Sequence, residues 1–388
     1  MAADTEKNDS MGSSPQIFNP AAGYLNSEGR RSLDSPTFGT APSSVDIPRD
    51  TCIKRMGIQL NLKTQVTYAA GSPTVSPQGA FARVCSNLEV NIGGTRFVKS
   101  VDPYLAKMTN ILMGGNVRQS SSSSAGAITA SRAAADLWTG ATLAYQATTG
   151  YMFFQEMVEL SFENPFGYGG SRYLTELDTR DVSSATLKFT WNPIENLQTD
   201  GVGATVTYAN VSCVMKPHII TNNSRPRPEQ GQVLFDYVES VTPKQVSAAG
   251  AQSLEIQSGN FLQALGLLAR NGDTSLTFQE EIITGLALKI NGATAIQGPI
   301  DMQELQDNNL IRYNTYSPRG AGGINRIRGF ALMNLIRNGD WNTAINTSRA
   351  GGVDTVRLEF NATSEATYTA PVMLYVHKHE IRPYTYAR

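Results

Sequence analysis

The feature that most constrains this chain is that its second half repeats its first half in the same order. Residues 186–189 (TLKF) and 204–220 (ATVTYANVSCVMKPHII) are echoed by 356–360 (VRLEF) and 366–382 (ATYTAPVMLYVHKHEIR). Setting Ala204 on Ala366 gives a spacing of 162 residues and also sets Ile219 on Ile381. Upstream, LDTR (177–180) matches NTSR (346–349) at a spacing of 169, with Arg180 on Arg349. GYMFF (150–154) matches GFALM (329–333) at 179, and LEVNIGG (88–94) matches LALKING (286–292) at 198. The order is kept and the spacing only shrinks, as two copies of one domain would show if the first carried longer loops. A repeat decides architecture before any single motif does, and this unit has the size of a domain rather than a solenoid turn.

Local texture says which kind of domain is repeated. MGIQLNLKTQVTY (56–68) and FARVCSNLEVNIGG (81–94) alternate apolar and polar residues, as half-buried strands do. Further strands are expected at 150–162, 185–192 and 204–216, then at 233–242, 252–258, 282–291, 327–336, 353–361 and 367–380. Helical spacing is read at 101–113 after an Asp102-Pro103 start, at 259–270 (Phe261, Leu262, Leu265, Leu268) and at 299–310. Residues 114–136 are low in complexity and read as a surface loop, with Ala130–Ala135 as a possible short helix; 163–174 reads as a loop with aromatic anchors. Many short strands, few helices and one plan used twice predict an all-β chain of two tandem eight-stranded jelly-roll sandwiches, with short helices in the loops. The expected division is an extended N-terminal arm over 1–50, a first roll over 51–220, a linker over 221–232 and a second roll over 233–388. The arm is rich in Ser, Pro, Gly, Asn and Asp, a composition that buries too little surface to offset the entropy of ordering.

Bulk properties exclude several classes. The net charge of −1 argues against a general nucleic-acid binder, and no direct sequence-specific nucleic-acid contact is expected. Charged residues make up 17% of the chain, below the ~25% usual for soluble proteins, which suits a surface largely covered by neighbours. Three widely spaced cysteines, Cys52, Cys85 and Cys213, form neither a disulfide framework nor a metal motif. The polar start MAADTEKNDS lacks a secretory h-region, and no apolar run approaches the ~20 residues of a membrane span; assembly in the cytoplasm is expected.

No constellation looks catalytic, so no catalytic, cofactor-binding or metal residues are assigned and the chain is expected not to be an enzyme. P-loop, G-x-S-x-G and HExxH patterns are absent, and GYGG (167–170) and GAGG (320–323) lack the rest of a phosphate-binding fingerprint. His377 and His379 share one face of an expected strand and are the best metal candidates, but no third ligand is evident and Met215 and Pro217 stand at the matching positions of the first copy. Neighbours Glu280 and Glu281 would point to opposite faces of a strand; Asp178 and Arg180 would share a face as an ordinary surface ion pair. Arginines at 225–227 and at 312–328 (Arg312, Arg319, Arg326, Arg328) read as loop charges or subunit contacts.

These observations carry a resemblance. The chain resembles the double jelly-roll major capsid proteins of tailless icosahedral viruses, the lineage that includes adenovirus hexon. Three stretches carry it: FENPFGYGGSRYLTELDTRDVSSATLKFTWN (162–192), LALKINGATAIQG (286–298) and TAPVMLYVHKHEIRP (369–383). It covers residues from about 52 to 386, and the order and duplication are more specific than any one stretch. The resemblance implies a structural protein whose homotrimers, pseudo-hexagonal in outline, tile a virion shell beside minor capsid or penton proteins. It also implies an internal membrane below the shell, with the N-terminal arm ordering against neighbours or that membrane. The alternative from another class is a carbohydrate-binding or carbohydrate-active β-sandwich. That reading requires an aromatic platform, whereas Trp138, Trp191 and Trp341 are scattered, with Trp191 on an expected buried strand.

Overall fold

The computed structural model describes residues 16–18, 27–68, 74–75, 80–114, 120–125, 133–135, 143–144, 149–167, 169–200, 206–246, 248–256, 258–271, 278–294, 298–313, 329–336, 340, 343–348, 355–363 and 371–386. Sixteen of the strands among the described residues build two sets of eight. The first set is β1 (Glu28–Ser32), β2 (Ser43–Asp46), β3 (Cys52–Tyr68), β4 (Cys85–Ile92), β5 (Arg96–Val101), β6 (Thr149–Ser161), β7 (Ala185–Trp191) and β8 (Val206–Asn222). The second is β9 (Val233–Val246), β10 (Gly250–Glu255), β11 (Phe261–Asn271), β12 (Ile283–Ile290), β13 (Ala293–Thr294), β14 (Phe330–Asn334), β15 (Val356–Ala362) and β16 (Val372–Thr385). Helix α1 (Ala80–Val84) precedes β4, α2 (Pro103–Gly114) follows β5, and α3 (Met302–Tyr313) follows β13.

Each set makes two facing four-stranded sheets in one order. The first roll pairs β1-β8-β3-β6 against β2-β7-β4-β5, and the second pairs β9-β16-β11-β14 against β10-β15-β12-β13. This is the eight-stranded jelly roll, made twice. The registers repeat as well. Leu187 lies opposite Val45 and Val90, as Leu358 lies opposite Leu254 and Leu288. His218 lies opposite Gly57, as His377 lies opposite Gly266. The turn after β4 places Gly93 and Gly94 at φ 63° and 79°; the turn after β12 places Asn291 and Gly292 at 49° and 81°. Two consecutive left-handed residues are what a tight hairpin requires, and Gly and Asn tolerate them best.

Three apolar clusters hold the molecule. One fills the first roll around Met56, Ile58, Leu88, Leu187 and Phe189. The second fills the second roll around Leu265, Leu267, Leu286, Leu358 and Val376. The third lies between the rolls, where Tyr104, Leu105, Met108, Ile111 and Leu112 of α2 pack on the outward face of β9-β16-β11-β14 through Tyr237, Ala264, Leu268, Phe330 and Leu332. At the same joint β5 pairs in parallel with β9 through Lys99–Glu239 and Ser100–Ser240, so one sheet of each roll merges into a nine-stranded sheet whose ninth strand is the short Ile345–Asn346 paired to β11.

Several expectations change. The helix read at 259–270 is β11: it lies between the second and third clusters, and a strand buried on both faces shows a continuous apolar run that mimics helical spacing. β1 (EGRRS) and β2 (SSVD) lie inside residues 1–50, read as an arm. They are short, polar strands held by backbone pairing to β8 and β7, a long-range contact that composition does not report. Ser120–Ala125 pairs with β6 and Ala133–Ala135 pairs with it in turn, so part of the expected loop is sheet and the second Ala-rich run is strand rather than helix. Residues 81–84 belong to α1 and not to the strand that follows.

Two matched segments hold in order but not in register. In β8 Met215 faces the first core, whereas His377 of β16 faces away from the second. The true partner of His377 is therefore His218, a spacing of 159 (218 to 377) rather than 162. Slipping a strand by an odd number of residues flips every side chain to the other face. Likewise Asn110 of α2 and Asn309 of α3 donate to the carbonyl oxygens of Glu159 and Leu332, which sets β6 on β14 at 173 (159 to 332) rather than 179.

Candidate functional site

The joint between the rolls carries a fully buried polar cluster. The ladder pairing sets Lys99 of β5 beside Glu239 of β9, and the Lys99 Nζ to Glu239 Oε2 distance is 2.5 Å with the lysine side chain wholly enclosed. β16 supplies His377 and His379, whose Nε2 and Nδ1 lie 3.3 and 3.4 Å from Glu239 Oε1. The two imidazoles lie 4.0 Å apart, centre to centre. Tyr237 hydrogen-bonds His379 Nδ1 at 2.6 Å through its hydroxyl, and its ring lies 3.8 Å from the Lys99 ammonium. Phe166 closes the cluster edge-on to His379. Gly266 is required here: a Cβ at that position would lie 3.2 Å from His377 Cβ and from Phe330 Cε2.

Burial sets the protonation states. Burial lowers the Lys99 ammonium, against the opposing pull of Glu239. Burial alone would raise the Glu239 carboxyl, but Lys99 and then hydrogen bonds from both histidines hold it well below the usual carboxylate range. His379 is pushed down to about 3, by burial first and the neighbouring His377 second. At neutral pH the cluster is therefore an ammonium–carboxylate pair flanked by a neutral His379.

Glu239, His377 and His379 offer three donor atoms within 4.8 Å of one another, so the third ligand that sequence reasoning did not find comes from β9. Glu239 and His379 are nonetheless already engaged. Lys99 supplies the positive charge beside Glu239, and the Tyr237 hydroxyl occupies His379 Nδ1. A dication among these atoms would sit beside a buried ammonium, so the donor set as it stands fits an internal ion pair better than a metal.

Solved structures share the fold, among them three described as major capsid proteins. The major capsid protein P2 of bacteriophage PM2 superposes with a TM-score of 0.53 at 10% identity, covering 93% of this chain and 99% of that one. The MCP of STIV gives 0.56 at 13% identity, covering 91% and 96%. The Faustovirus major capsid protein gives 0.59 at 9% identity, covering 97% and 93%. The chain has the double jelly-roll fold. No family model matches it, and no curated protein matches its sequence.

The double jelly roll places the remaining candidates in structural roles. Arg180 forms a bidentate pair with Asp178 and donates to the carbonyls of Arg225 and Pro226, pinning the connector. Their side chains are 13% and 9% exposed, so the pair is enclosed rather than on the surface as expected. Arg225 is buried as well, paired with Glu176 at 3.0 Å. Glu280 is buried and Glu281 exposed, on a 3-10 turn rather than a strand. Trp191 is buried as expected, donates to Ser43 Oγ and stacks on Phe189. Cys52, Cys85 and Cys213 are free thiols. Among the described residues no helix is long and apolar enough to cross a membrane. Arg319, Arg326, Arg328, Trp138, Trp341 and the GAGG run lie outside the described residues.

Proposed function

We propose that this chain is the major capsid protein of a tailless icosahedral virus, a structural protein without catalytic activity. Three copies form a capsomer of pseudo-hexagonal outline, and such capsomers tile the virion shell. One observation carries the reading: a single chain holds two copies of one roll, docked through an apolar joint between the helix of the first and the sheet of the second. Two such units per chain and three chains per ring give six similar corners under threefold symmetry. The similarity to proteins named as major capsid proteins over nine-tenths of both chains supports it. The first roll takes in β1 and β2 and ends with β8, the connector spans 223–232, and the second roll runs from β9 to β16. The segment ahead of β1 contacts neighbouring capsomers or a membrane beneath the shell, and minor capsid or penton proteins fill the remaining positions. The chain assembles in the host cytoplasm and resides in the virion.

The test is the mass of the purified native protein by light scattering after size exclusion. A subunit is 41.9 kDa, so a trimer is three times that, about 126 kDa. A stable trimer supports the reading; a monomer at all concentrations and salt conditions refutes it.

A further inference from the structure

The joint between the rolls is a template for a contact that the chain offers but does not complete by itself. Taking the spacings set by the registers, each α2 residue in the joint has a counterpart on α3. Starting α3 on α2 (Met302 on Pro103), Tyr104, Leu105, Met108, Ile111 and Leu112 map onto Gln303, Glu304, Asp307, Leu310 and Ile311. Leu112 is 2% exposed because the second roll covers it, whereas Ile311 is 80% exposed. The sheet face maps in the same way. Ala264, Leu268, Phe330, Leu332 and Ile336 of the second roll correspond to Arg55, Gln59, Met157, Glu159 and Glu163 of the first. Where α2 fills the space over the second roll, the first roll has a cleft of about 230 Å³ bordered by Arg55, Met113, Met157, Pro165 and Arg172.

We propose that this cleft is the docking site for α3 of a second copy of the chain, with Ile311 inserted beside Met113 and Met157 and the acidic turn Glu304–Asp307 set against Arg55. The proposal rests on the capsomer reading and adds the residues and the physical character of the contact. The joint within a chain is apolar around α2, with its charges paired in the enclosed Lys99–Glu239 cluster; its counterpart between chains is charged, with Glu304 and Asp307 on the helix and Arg55 and Arg172 beside Glu159 and Glu163 on the first roll. That difference has a physical logic. The first contact is permanent and forms during folding, so it can expose no apolar surface afterwards. The second must stay soluble on a free subunit before it closes, which favours polar groups around one apolar anchor. Because the helix of one copy meets the sheet of another, the contact is heterologous and closes only as a ring.

The test compares the full-length protein with Ile311→Glu and Arg55→Glu by light scattering at 50 mM and 500 mM salt, with circular dichroism and melting as controls for folding. Both variants are expected to keep the fold and to lose the trimer, shifting the dissociation midpoint by at least tenfold. Arg55→Glu combined with Glu304→Arg and Asp307→Arg is expected to recover it. Wild-type trimers that weaken at high salt support the charged character. Folded variants that trimerise like the wild type would overturn this inference while leaving the capsomer reading intact. A wild-type chain that never trimerises would overturn both.

Discussion

Removing the Lys99 ammonium tests whether the joint is held by an internal ion pair. The pair is wholly enclosed, with 2.5 Å between Nζ and Oε2, so Lys99→Met leaves Glu239 without its cation. The ceiling on the cost is set by neutralisation. Protonating a carboxyl of ordinary pKa ~4.3 at pH 7 costs about 3.7 kcal/mol at about 1.4 kcal/mol per unit. The reverse variant, Glu239→Gln, strands the lysine, and discharging an amine of pKa ~10.4 costs about 4.6 kcal/mol. Both figures agree with the ~3–5 kcal/mol usual for breaking a buried pair. Removing both charges together is expected to cost far less than either single change, since a buried pair often gives no net stability over neutral packing. Urea and thermal unfolding of the wild type, both single variants and the double variant close the cycle. At ~2–4 °C per kcal/mol for a unit of 150–250 residues, costs of about 3.7 and 4.6 kcal/mol mean that the single variants should melt about 7–18 °C lower. Single variants that melt with the wild type, or a double variant that loses the sum of the two, would refute the ion-pair account.

Three further outcomes are expected. His379 has a folded pKa of about 3 against the ordinary 6.5 of an imidazole, so the unfolded state binds the proton first and stability falls as pH falls between those values. At pH 5 the loss is about 2 kcal/mol relative to pH 7.5, and His379→Gln should flatten that part of the pH–stability curve measured in urea. Gly266→Ala pushes a methyl to 3.2 Å from His377 Cβ and Phe330 Cε2, and should cost about 1–3 kcal/mol in unfolding by heat or denaturant. Phe330→Ala opens the inter-roll cluster and should cost about 3–5 kcal/mol by the same measurement, while Ile311→Ala should stay within about 0.5 kcal/mol in the isolated subunit.

The repeat, the all-β class and the β4–β12 match were legible because each is written locally: alternation marks a strand, and the Gly93-Gly94 and Asn291-Gly292 pairs mark the turns that end it. α2 was legible from its Asp102-Pro103 start, and Asp102 indeed caps it by accepting from the Tyr104 amide. What the chain by itself determined is thus one eight-stranded plan used twice. Tertiary structure decided everything that depends on which surface meets which. β11 reads as a helix until the cores on its two faces are known, and β1 and β2 read as arm until β8 and β7 are present to pair with them. The β8–β16 register needed the same information, since only packing tells an inward Met215 from an outward His377. The Lys99–Glu239–His377–His379 cluster draws on three strands remote in sequence, so the pattern showed only its histidine pair. Sequence periodicity records which residues share a face, but the partner of that face is chosen by packing over long range, and only the folded molecule holds that choice.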